Sequence, residues 1–206
     1  MTKINKELLI DKFNFMKTSM QKFDCTLHME NFEISILTSS SSFQKIVLFL
    51  KDNPTTDFGI LVDMCAVDFP SNKQRFQLVY NFLSISQNLR TRLSLNIQDG
   101  ESIESISSIY PCANWYEREI FDLFGISFSR HPDLRRILTD YDFDGYPLRK
   151  DFPMTGFTQV RYDEEQKKII TEPVKLDQEY RNFDNLSPWE GMKTSLNENK
   201  DNDEKN

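Results

Sequence analysis

The chain contains no apolar run long enough to cross a membrane. Its longest purely apolar stretch is Ile46 to Leu50, far short of the ~20 residues that a spanning helix needs. The N-terminal Met-Thr-Lys-Ile-Asn-Lys-Glu has neither a secretory apolar region nor an Arg-rich transit pattern. The protein is therefore expected to be soluble, or to reach a membrane only through partners. Cysteine is scarce: Cys25, Cys65 and Cys112 are far apart, odd in number and in no C-x-x-C arrangement. That excludes an iron–sulfur cluster or thiolate zinc site held by this chain alone. It also argues against a disulfide framework and for a reducing compartment with buried or neutral thiols. Histidine occurs only at His28 and His131, which form no ligand set. The six glycines build neither G-x-G-x-x-G nor a phosphate-binding loop, so nothing points to a nucleotide. Positive charge is in deficit too. A net charge of −7 lacks the basic footprint of a nucleic-acid binder. The local exception, Arg130, Arg135 and Arg136, is interleaved with Glu117, Glu119, Asp122 and Asp133.

What remains is a chain of 206 residues, 38% apolar, whose 17 Phe, 7 Tyr and 2 Trp supply much of the core. Hydrophobic spacing predicts a helix over 4–20, strands over 25–29 and 32–37 with a turn at Glu30-Asn31, and a Ser-rich loop over 38–42. Ser41 with Gln44 fits a capping box opening a helix over 43–52, closed by Asn53-Pro54. Residues 58–68 read as a central strand, and 75–84 and 90–98 as half-buried strands. Short helices are expected over 102–109 and 114–124, the second ending at Gly125. The fold class is α+β: a helix-flanked mixed or antiparallel sheet followed by a long extended C-terminal docking arm. The expected division is a core over 1–125, an arm over 126–190 and a disordered polar tail over 191–206.

The arm is expected because the texture changes after Gly125. Six of the eight prolines lie from Pro111 onward, and seven of the ten arginines from Arg118 onward. Arg suits planar, partly buried pairing. Regular elements are few, save for a possible hairpin over 157–162 and 168–171. A long structureless segment rich in Tyr, Phe and Arg reads as one that folds against another protein, with internal salt bridges as the alternative use of its arginines.

Residues 113–136 carry most of the information: five aromatics, four acids and four arginines around one Gly and one Pro. On a helix Glu119 and Asp122 share a face, Glu117 and Glu119 do not, and Arg118 and Asp122 can pair. With no nucleophile, ligand set or Gly-rich loop beside them, these residues do not read as an active site. His131 before Pro132 reads as an interface contact sensitive to pH. A competing signal is Asp140-Tyr-Asp142-Phe-Asp144-Gly145, which matches the front of a calcium loop with Asp151 at its twelfth position. Pro147 and Pro153 oppose the exiting helix that such a loop requires.

Glu117-Arg118-Glu119-x-x-Asp122-Leu123-Phe124-Gly125 and His131-Pro132-Asp133-Leu134-Arg135-Arg136-Ile137 together resemble the signature of the C subunit of NADH:quinone oxidoreductase, the NuoC-type subunit of respiratory complex I. Leu138-Thr139-Asp140-Tyr141, Gly145-x-Pro147-Leu148-Arg149-Lys150-Asp151-Phe152-Pro153, Val160-Arg161-Tyr162, Glu172-Pro173-Val174 and Ser187-Pro188-Trp189 extend it over about 60–190. The family more often has Gly near Asp142 and His near Tyr146. The resemblance implies a non-redox subunit of the hydrophilic arm that binds no cofactor itself, FMN and iron–sulfur clusters residing in partner subunits. It implies contact chiefly with the D subunit, next to the B subunit, bracing the quinone-reducing subunits. It implies a separate C subunit rather than a fused one. Membrane association would be indirect, on the cytoplasmic face of a bacterial inner membrane or, alternatively, the matrix face of a mitochondrial one. An equivalent brace in a membrane-bound hydrogenase-type complex stays open. The expected interface and structural residues are Glu117, Arg118, Glu119, Asp122, Gly125, His131, Pro132, Asp133, Arg135, Arg136, Arg149, Asp151, Arg161 and Trp189, with Glu117, Glu119, Asp122, Arg135 and Arg136 as a central charged lattice.

Overall fold

The computed structural model describes residues 6–31, 33–176 and 178. In chain order the elements are α1 (Lys6–Ser19), β1 (Cys25–Glu30), β2 (Glu33–Thr38), α2 (Ser40–Asp52), β3 (Ile60–Asp68), β4 (Phe76–Ser84), β5 (Leu89–Ile97), β6 (Ser102–Glu104), α3 (Ala113–Phe124), β7 (Ser127–Ser129), β8 (Thr158–Asp163) and β9 (Lys168–Pro173). Five strands form one sheet in the order β1-β2-β5-β4-β3, with β2 and β5 parallel and the other pairs antiparallel. The α+β class with a mixed sheet is therefore what the sequence pattern specifies.

Alternation decides which sheet face is buried. Phe76, Leu78, Tyr80 and Phe82 of β4 face inward, opposite Leu93, Leu95 and Ile97 of β5 and beside Ile34 and Ile36 of β2. Leu9 and Met16 of α1 and Phe43, Ile46 and Leu50 of α2 close the same core, with Phe43 tilted against Tyr80 at 4.9 Å between ring centres. From α3 come Ala113, Ile120 and Phe124.

Three local expectations are corrected. The helix after β2 begins at Ser40, and its N-cap Ser39 makes no side-chain cap bond, so there is no Ser41/Gln44 capping box. Residues 102–109 are not a helix. Ser102–Glu104 pairs with Ser127–Ser129 as a short parallel ladder, and the chain then turns. Ile103, Ile106 and Ile109 are all buried, a spacing of three that imitates a helical stripe. Finally, β3 is an edge strand, not a central one. Helix α3 lies along it, the Tyr116 hydroxyl donating to Val62 O at 3.2 Å and the Cys112 thiol directed at Leu61 O. Of the thiols, Cys65 and Cys112 are exposed rather than buried. Burial first and a neighbouring aspartate second push Cys25 and Cys65 up, which keeps those two neutral.

Gly125 ends α3 in the left-handed region at φ 75°. Beyond it the chain stays on the same compact unit as far as Gly156, and a second unit begins at Phe157. Residues 126–156 thus pack on the core instead of extending from it. In the second unit the expected hairpin is present as β8 and β9. The expected tail over 191–206 lies outside the described residues.

A Cβ at position 125 would stand 2.5–2.8 Å from ring atoms of Tyr146, at a backbone angle that L side chains rarely adopt. Gly125→Ala is expected to cost about 1–3 kcal/mol, read as a lower denaturant midpoint of the purified chain. An unchanged midpoint would mean that Tyr146 is not held against this turn.

Candidate functional site

Helix α3 carries two fully buried acids, Glu117 and Asp122, and each has a different set of donors. Glu117 accepts from Ser105 Oγ at 2.6 Å and from the Ile106 amide at 2.8 Å. Burial is the main influence on its carboxyl and pushes it up, with Ser105, Ile106 and His131 pulling the other way. The His131 ring lies 3.8 Å away, its side chain fully enclosed. His131 Nδ1 accepts the Asp133 amide proton, and Nε2 lies 3.1 Å from Asn114 O. His131 is therefore an internal contact and not the interface donor that its place before Pro132 suggested.

Asp122 collects a whole segment of backbone. Its Oδ2 accepts the amides of Ile137, Leu138 and Thr139 at 3.0, 2.7 and 2.9 Å. Its Oδ1 accepts from Arg136 Nη1 at 2.8 Å and from the Thr139 hydroxyl. Burial alone would raise this carboxyl, but the Thr139 hydroxyl and the three amides outweigh it and hold Asp122 well below the usual carboxylate range. Arg136 also donates to Gly145 O, and its guanidinium lies 5.9 Å from the Phe143 ring centre and 5.5 Å from that of Tyr146. Arg118 does not pair with Asp122; it donates to Arg135 O and Arg136 O at 3.1 and 3.0 Å.

A second charged cluster fastens the following turn to the sheet. Arg149 makes a forked pair with Asp99 at 3.0 and 3.1 Å and donates to Phe124 O at 2.6 Å. Asp151 pairs with Arg75 at 2.9 Å, and Arg75 pairs with buried Asp68, which also accepts the Lys150 amide. The Arg75 hydrogen bond, above all, keeps Asp68 below its ordinary value. Asp151 is thus held by an arginine, and among the described residues no three His, Cys, Asp or Glu side chains stand together as metal ligands. The calcium-loop reading does not fit this geometry.

The predicted charged lattice therefore divides. Asp122 and Arg136 are joined and enclosed, while Glu117 belongs to a separate buried network. Glu119 is exposed although it was expected to share a face with Asp122. Arg135 pairs with Asp133, both more than half exposed, beside exposed Pro132. Arg161 lies on β8 near Glu172 and Asp163, and Trp189 falls outside the described residues. Sequence reasoning missed Asp68, Arg75, Asp99 and Ser105. An acid closing the apolar run of β3 was the one visible sign, at Asp68.

The folded chain keeps Asp122 ionised to lower pH than the unfolded chain does. Its contribution is present above the unfolded value, near 3.8, and is lost as pH falls through the folded one. Asp122→Asn strips Arg136 of its counter-charge and is expected to cost about 3–5 kcal/mol at neutral pH. The gap from the parent chain should narrow as the medium is acidified below that unfolded value, as read by denaturant titrations along a pH series. A gap that is small, or that widens in acid, would refute the assignment.

The chain resembles known proteins over most of its length. Residues 36–158 match the family described as respiratory-chain NADH dehydrogenase, 30 Kd subunit. A protein of Parvibaculum lavamentivorans, named as the C subunit of NADH-quinone oxidoreductase, is 52% identical over 82% of this chain and 84% of its own length. The protein of the same name from Roseobacter denitrificans is 51% identical over 89% and 92%, and that from Cereibacter sphaeroides 58% identical over 71% and 73%. Among solved structures, a chain of the membrane-bound sulfane sulfur reductase, an archaeal respiratory membrane complex, shares the fold at a TM-score of 0.58 and 22% identity, over 76% of this chain and 98% of its own. On the family match and on identities above one half across most of its length, the chain belongs to the 30 Kd subunit family of respiratory-chain NADH dehydrogenase.

Proposed function

We propose that this chain is the C subunit of an NADH-quinone oxidoreductase and that it serves as a non-redox brace in the hydrophilic arm. It docks chiefly on the D subunit, next to the B subunit, steadying the quinone-reducing part. FMN and the iron–sulfur clusters belong to partner subunits. Attachment to the membrane is indirect, on the cytoplasmic face of a bacterial inner membrane. No helix among the described residues is long and apolar enough to cross a membrane, which accords with an attachment made by others. The names of the relatives favour this reading over a hydrogenase-type complex.

The β8–β9 hairpin carries the proposal. Register puts Val160 opposite Thr171 and Tyr162 opposite Ile169 on one face. That face is open, with Val160, Tyr162 and Ile169 exposed by 64%, 58% and 70%. On the other face Gln159 and Arg161 both donate to Glu172, and Ile170, opposite Arg161, is half-buried. A two-stranded hairpin alone is marginal in water. One that presents its apolar face outward is built to be covered by a partner.

Two sets of variants test the reading. Arg135→Ala and the double change Tyr162→Ser with Ile169→Ser touch exposed side chains only. Each is expected to leave the thermal midpoint of the purified chain unchanged while lowering the amount of assembled complex and its NADH–quinone reductase activity in parallel. Full assembly and normal turnover in both would refute the docking role.

A further inference from the structure

Trp115 stands outward from α3 with 70% of its surface exposed, and Leu138 stands beside it at 63%. With Pro111, Tyr116 and Ile137 they line an open groove of about 630 Å³. Such a volume is within the range of sites that take a small ligand or an anchoring side chain with its neighbours. Its walls are fixed before anything binds. The Ile137 and Leu138 amides are held by Asp122, and the Tyr116 hydroxyl by Val62 O. The rim is acidic. Glu119 lines the groove, and Asp63 of β3 lies close enough to act on the Tyr116 hydroxyl, which burial first and then Asp63, Cys112 and Glu119 push up. Among the described residues neither Glu119 nor Asp63 has a cationic partner.

An apolar floor walled by the unpaired Glu119 carboxylate selects its occupant by charge. Residues 177–206 of this chain hold eight acids against four bases, and the whole chain carries −7. Like charges therefore oppose both the chain's own C-terminal segment and a second copy. We infer that the groove receives a segment of a partner protein that presents an aliphatic or aromatic anchor flanked by Lys or Arg. The anchor packs on Ile137, Leu138 and Pro111, while the cation lies over the Trp115 ring and meets Glu119. The inference rests on the docking role proposed above.

The test uses the assembled complex, extracted gently from membranes, with Trp115 replaced by p-benzoylphenylalanine. After irradiation the attached peptide is identified by mass spectrometry. Attachment to one peptide of another subunit, with Lys or Arg beside the attachment point, is the expected result. Adding Glu119→Lys should lower the yield about tenfold, and reversing the partner's cation to Glu should restore it. Glu119 is exposed, so the thermal midpoint of the isolated chain should stay put. Attachment to residues 177–206, to a second copy, to lipid or to nothing, or a yield indifferent to Glu119→Lys, would overturn the inference. A normal complex whose position 115 attaches to nothing removes the groove but leaves the docking role standing. That role itself falls only if the Arg135 and hairpin variants assemble normally.

Discussion

The Asp122 carboxylate governs the turns that follow β7 in the first unit. Without it, three consecutive amides would lose their shared acceptor and the Arg136 guanidinium its counter-charge. Removing such a partner is far more damaging than never having built the pair, because the surviving charge stays desolvated. The order it imposes is passed along the chain. Arg136 carries it to Gly145 O and to the Tyr146 ring. Tyr146 lies between Arg136 and Arg149, at 5.5 and 4.8 Å from the two guanidinium carbons. Arg149 then reaches Asp99 and the end of α3, and the next residues reach Asp68 and Arg75. A segment poor in regular elements is in this way as firmly specified as a helix.

Rigidity of this kind matters for association. Loops that must be ordered on binding lose affinity to the cost of ordering them. Here the backbone of 137–139 is ordered already, so Leu138 is displayed rather than merely exposed. Glu117, Asp122, Arg136 and Arg149 act inward, and the surface beside them exposes Trp115 and Leu138 with Glu119 close by.

Strand alternation in β4 and β5 and the glycine that ends α3 were legible in the sequence, because period-two burial and a left-handed turn residue depend on local geometry. Ser102–Ile109 was misleading for a physical reason. Three isoleucines at a spacing of three satisfy a helix and also a strand that turns abruptly, and Glu117 settles the matter from eleven residues away by holding the Ile106 amide. The abundance of arginine beyond Arg118 was readable, but not its direction. Whether Arg149 faces Asp99 or another protein depends on how the chain returns after Gly125, which no local pattern encodes. Arg75 was invisible because its partners, Asp68 and Asp151, lie on opposite sides of it in sequence and meet only in the fold.

The parallel pair of the five-stranded sheet, β2 with β5, has a kinetic side. Every other partnership in the main sheet joins strands adjacent in sequence, but this one waits for all the chain between Thr38 and Leu89, including α2, β3 and β4. The β1–β2 hairpin has no place to dock until β5 has been made and laid against β4. Closing that loop is an entropic toll met late, so topology favours slow, concerted folding over growth from the N-terminus. A nascent chain halted before Leu89 would hold the apolar faces of α1, α2 and β2 open to the solvent, and so would be a client for chaperones.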